Sequence, residues 1–118
     1  MDGNDPAWQQ ERQRYASPEL QSGTVMFRDW DLMRYWFRGV EKALPWIRTV
    51  HFVTWGHLPP WLNTAHPKLH IVRHDAFIPR SYLPTFNSIV ISTNVHRIPG
   101  LAEQFIYSND DCFYLDQV

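Results

Sequence analysis

The sequence has little with which to cross-link itself and no strong charge bias. Its single cysteine, Cys112, excludes an intramolecular disulfide and fits a reducing, cytoplasmic compartment. Eleven basic and twelve acidic residues leave a formal net charge of −1. That balance gives no support to a nucleic-acid-binding role or an acidic tail. No apolar run is long enough to span a bilayer, the N-terminus lacks a signal-peptide pattern, and nothing repeats. What the chain does have is apolar mass. It is 44% hydrophobic and 15% aromatic over 118 residues, which excludes a disordered chain and suits one ordinary domain.

Organisation follows from periodicity. Residues 1–26 are polar, with turn signals at Asp2-Gly3 and Asp5-Pro6, and a short helix can start at Pro6. "DWDLMRYWFRGVEKAL" (29–44) repeats Leu32, Tyr35, Trp36, Gly39, Val40, Ala43 and Leu44 at helical spacing. Asp29 or Asp31 is its expected cap and Pro45 its stop. "IRTVHFVTW" (47–55) and "KLHIVRH" (68–74) read as strands. Residues 83–100 carry helix signals at both ends around a β-branched interior, and the helix reading is favoured. A buried strand is expected at about 104–108, with Asp110 and Asp111 at its C-terminal end, where parallel sheets gather ligands. The predicted class is α/β, with parallel strands and flanking helices.

Each candidate group has two readings. Asp110 and Asp111 are hard oxygen donors suited to Mg²⁺ or Mn²⁺ and hence to a diphosphate; they equally suit a solvated Asn-Asp-Asp turn. His96 and Arg97 can serve as base and phosphate clamp, or as cations favoured at a helix C-terminus. Asn87 and Ser88 can bond a sugar, or cap the following helix. His51, His57, His66, His70 and His74 fit no zinc spacing, and His74-Asp75 is a possible pair. Arg28 and Arg34 flank the clear helix and suit surface salt bridges. Cys112 is expected to be a buried free thiol.

Taken together, "MDGNDPAWQ", "RDWDLMRYWFRGVEKALPWIRTVHFVTWGHLPPWLN", "YLPTFNS" and "HRIPGLAEQFIYSNDD" resemble the Stealth family. These are sugar-phosphate transferases of bacterial capsule and exopolysaccharide synthesis, related to the animal N-acetylglucosamine-1-phosphotransferase. The resemblance implies a nucleotide-sugar glycosyltransferase-like, Rossmann-like sheet. It also implies transfer of sugar-1-phosphate from a nucleotide-diphosphate sugar to a glycan hydroxyl. By resemblance, Asp111, His96 and Arg97 are catalytic, Asp110 and Asp111 hold Mg²⁺ or Mn²⁺, and Asp2, Asp5, Asn87, Ser88 and Asn109 bind substrate. Residues 1–26 correspond to the tail of a first conserved block and 27–118 to a central region.

Three departures from the pattern qualify this. Ser92 stands where family members usually carry a Glu, four residues before the histidine of "HR". Met1 stands where an apolar strand would lead into the Asp-Gly, so an unpaired sheet edge open to self-association is expected. The blocks that follow "NDD" in the family are not in the sequence, which ends at Val118. A truncated remnant that keeps the fold and at most binds nucleotide-sugar is the alternative reading.

Overall fold

The computed structural model describes residues 5–15 and 31–117. Helix α1, Pro6–Tyr15, begins at the expected proline. Asp5 caps it, its Oδ1 accepting the Trp8 backbone N–H at 2.8 Å. Trp8 is 1% exposed. It stands edge-on to Phe86 with ring centroids 5.7 Å apart, which anchors α1 beside the "TFNS" segment.

Helix α2 runs Met33–Ala43. Its N-cap is Leu32, without a side-chain capping bond, so the expected Asp31 cap is corrected. Asp31 instead turns the chain at φ +53°, a left-handed conformation that Asp tolerates. Asp29 lies outside the described residues. The buried stripe is Trp36, Val40, Ala43 and Leu44, with Met33 and Phe37 packed against it. Compared with the predicted stripe, the helix is rolled so that Leu32 and Tyr35 stay exposed. Phe37 takes the inner place because it meets Phe52 at 5.7 Å and Trp61 at 6.2 Å. Tyr35 keeps its hydroxyl in water, with Arg38 over its ring.

Strands β1, Val50–Thr54, and β2, Leu69–Arg73, pair in parallel, Val50 opposite Leu69 through Thr54 opposite Arg73. Among the described residues they form a two-stranded sheet. Alternation along β1 gives each face its own core. Val50 joins the α2 cluster and Phe52 meets Phe37. Val53, one position out of phase, joins Val72, Phe77, Ile78 and Ile98 on the other face. That second cluster is covered by helix α3, Ser88–Asn94, and its 3-10 extension Val95–Arg97, through Val90, Ile91 and Val95. Covering both faces is the usual state of parallel strands.

The helix favoured within 83–100 is therefore present. Its β-branched and polar interior is accommodated by back-bonding: Ser92 Oγ and Thr93 Oγ1 donate to the Ile89 carbonyl, at 3.1 and 2.8 Å. Gly100, at φ +79°, ends the segment.

The strand expected at about 104–108 is not formed. Residues 105–109 carry no regular secondary structure, and Phe105, Ile106 and Tyr107 are 46, 43 and 50% exposed. An extended run becomes a strand only with a ladder partner, and this run pairs with neither β1 nor β2. Cys112 is accordingly exposed, not buried.

Candidate functional site

The acidic pair occupies a turn. Cys112 N–H donates to the Asn109 carbonyl at 3.2 Å, so Asp110 and Asp111 form the two central residues, both exposed. The Asn-Asp-Asp turn read from the sequence is formed.

This turn is fixed to α2. Trp36 Nε1 donates to the Asn109 carbonyl at 3.1 Å and to Ser108 Oγ at 3.4 Å. The chain after the turn lies on the same helix, where a Cβ on Gly39 would stand 3.3 Å from the Tyr114 carbonyl oxygen. Glycine at that position lets the backbone of the tail approach the helix closely. Asp111 Oδ1 lies 3.6 Å from Cys112 Sγ.

The second group belongs to the other layer. Thr85, buried, accepts the Asn87 N–H on its Oγ1 at 3.3 Å. Asn87 caps α3, its Oδ1 accepting the Ile89 N–H at 2.9 Å. The helix cap read for Asn87 from the sequence is thus formed. Ser88 is the exposed first residue of the helix. His96 and Arg97 end the 3-10 extension, both exposed. Arg97 borders an open depression of about 430 Å³ shared with Asp75, Ala76, Phe77, Ile78 and Pro79. Arg97 therefore faces the segment that leaves the carboxyl end of β2. Asp5 approaches this layer through Trp8 and Phe86. Asp2 and Arg28 lie outside the described residues.

Sequence reasoning missed the carboxyl ends of the two strands. Thr54 Oγ1 donates to the His57 carbonyl at 2.7 Å and accepts the Gly56 N–H at 3.1 Å. Gly56 has φ +147°, and a Cβ there would fall 2.6 Å from a guanidinium nitrogen of Arg73. Arg73 reaches Asp75 at 3.4 Å, and Asp75 also acts on neighbouring His74 through its charge. His74 is 5% exposed and its Nδ1 has no hydrogen-bond partner. Burial pushes its pKa down, Arg73 and His57 add to this, and Asp75 opposes. The signal available in the sequence was the rule placing ligands beyond the carboxyl ends of parallel strands.

Among the described residues no group of three or more His, Cys, Asp or Glu could hold a metal ion. Two adjacent exposed carboxylates nevertheless fit the donor set of Mg²⁺, which keeps several waters and uses one or two carboxylates together with substrate phosphates. No helix of the described residues is long and apolar enough to cross a membrane.

Residues 26–118 match the model of Stealth protein CR2, conserved region 2. The chain is 50% identical over 117 residues to the capsular polysaccharide phosphotransferase WcwK of Streptococcus pneumoniae, covering 96% of this chain and 35% of that protein. It is 42% identical over 123 residues to the capsular polysaccharide phosphotransferase CpsJ of Streptococcus thermophilus, covering 100% of this chain and 52% of that protein. With an exopolysaccharide phosphotransferase of Lactiplantibacillus plantarum it shares 43% identity over 118 residues, covering 100% of this chain and 35% of that protein. The chain thus spans about a third to a half of the length of these curated relatives.

Proposed function

Because the chain belongs to the Stealth family, we propose that it is the central part of a sugar-phosphate transferase. The enzyme moves sugar-1-phosphate from a nucleotide-diphosphate sugar to a glycan hydroxyl in cytoplasmic capsule or exopolysaccharide synthesis. The observation that carries this reading is the family match across residues 26–118, joined by relatives named as phosphotransferases. The parallel pair β1–β2, covered on both faces, is compatible with part of a larger Rossmann-like sheet.

Each residue's role follows from its chemistry. Asp110 and Asp111 hold Mg²⁺ or Mn²⁺, which when bound neutralises diphosphate charge. Arg97, exposed beside an open depression, clamps phosphate oxygens with its planar fork. His96 next to it accepts the proton of the attacking glycan hydroxyl as the phosphorus–oxygen bond to the leaving nucleotide breaks. Asn109 and Ser88 offer hydrogen bonds to the sugar, as does the amide of Asn87, whose oxygen is occupied in capping. Asp2 and Asp5 flank the nucleotide. Ser92 brings no carboxylate, and its hydroxyl is turned back onto the Ile89 carbonyl.

The test incubates the purified chain, alone and within its full-length protein, with a uridine-diphosphate sugar, Mg²⁺ and a glycan acceptor. Release of nucleoside monophosphate is expected, and release of nucleoside diphosphate would make the enzyme an ordinary glycosyltransferase. Asp110→Asn with Asp111→Asn should abolish Mg²⁺-dependent donor binding in equilibrium dialysis. Unchanged binding would remove the acidic pair from the site.

A further inference from the structure

His51 and His70 occupy paired positions in the parallel register, at the amino ends of β1 and β2. Paired residues of neighbouring strands point to the same face, about 4.8 Å apart along the hydrogen-bonding direction. The two imidazoles stand on the same face as Val53 and Val72, at the opposite end of the strands from Arg73 and His74. Their Nδ1 atoms are 2.9 Å apart, with ring centroids at 5.0 Å and ring planes at 70°. His70 is exposed and His51 half-buried. Nearby His66 is already engaged, its Nδ1 accepting the Lys68 N–H at 3.2 Å.

Two imidazole nitrogens this close cannot both carry a proton between them. One accepts what the other donates, so at least one ring is neutral. The pKa of His51 is lowered, by burial first and by His70 second. The pair is thus ready-made for a positive centre other than the proton. The 2.9 Å contact is a hydrogen bond between the two rings, and it holds both Nδ1 atoms within reach of one ion about 2.0 Å from each. Imidazole nitrogens suit Cu²⁺ and Ni²⁺, with Cu²⁺ first in affinity.

We propose that His51 and His70 form a cross-strand chelate for a divalent transition ion of the Cu²⁺ or Ni²⁺ type, completed by water. The ion takes the place of the shared proton, which moves to the outer Nε2, and it clips β1 to β2 at their amino ends. This site is separate from Asp110 and Asp111, whose oxygens suit hard cations.

Titration calorimetry of the chain with CuCl₂ at pH 7.5, in a non-coordinating buffer, should give one saturable site. Electron paramagnetic resonance of the complex should show coupling to two imidazole nitrogens. At a hundredfold excess over Kd the folded-to-unfolded ratio should rise about hundredfold, raising Tm. Both the site and the Tm shift should be lost in His70→Gln, an exposed position that leaves the apolar clusters intact, and in His51→Ala. Circular dichroism of the metal-free variants establishes that they are folded. A wild-type chain that binds no Cu²⁺, or folded variants that bind it as the wild type does, would overturn the proposal.

Discussion

Trp36 is where the acidic turn is fastened to the fold, and Trp36→Phe tests that fastening. The substitution keeps an aromatic ring at a position 9% exposed but removes the indole N–H. It deletes the 3.1 Å bond to the Asn109 carbonyl and the longer one to Ser108 Oγ. A net hydrogen bond is worth about 0.5–1.5 kcal/mol, and the 3.4 Å contact belongs at the low end. Losing the second ring uncovers about 40 Å² of apolar surface, worth about 1 kcal/mol. The Asn109 carbonyl keeps the Cys112 N–H as a partner and lies on an exposed residue, so no further orphan cost is added. The sum is a destabilisation of about 2–3 kcal/mol. Urea unfolding followed by far-ultraviolet circular dichroism measures it without relying on the deleted chromophore. Hydrogen exchange at Cys112, whose N–H closes the turn, should quicken more than exchange at Val72 in β2. A stability loss below about 0.5 kcal/mol with unchanged Cys112 exchange would mean that the turn is held by other contacts.

Other substitutions probe the strand ends and the helix. Gly56→Ala should cost about 1–3 kcal/mol, since φ +147° suits only glycine; thermal unfolding equal to wild type would refute that strain. His74 is held neutral with its pKa below 6.5, so its contribution is complete above the unfolded value and is lost as pH falls below it toward the folded value. Stability should therefore fall by up to about 1.4 kcal/mol per pH unit in that window. His74→Gln should flatten this slope in urea titrations from pH 7.5 to 5, and an unchanged slope would assign it to another group. Ser92→Glu should increase nucleoside monophosphate release if a carboxylate is wanted at that place in α3, and no gain would leave Ser92 outside the chemistry.

Local periodicity was enough for α2, β1, β2 and the Pro6 start of α1, because each is decided by residues within one or two turns or pleats. The capping role of Asn87 was legible for the same reason, since its partner is Ile89, two residues away. What failed depended on distant residues. "FIY" at 105–107 has strand composition, but whether it joins a sheet is settled by which neighbour offers a free edge. The roll of α2 was set by Phe52 and Trp61, which no helical periodicity contains. The same distance hid the setting of His74. Its burial comes from packing around the end of β2, and its relation to His57 and Arg73 arises only once two strands lie side by side. For the acidic turn, composition gave the turn itself, while its attachment to Trp36 spans 73 positions in the chain.

The alternation of β1 carries one last implication. Phe52 and Val53 are consecutive, yet each docks a different layer: one carries Asp110 and Asp111, the other His96 and Arg97. Slippage of this strand by a single step would send each side chain to the wrong layer. The separation between the acidic turn and the His96-Arg97 segment is thus set by a pleat of five residues.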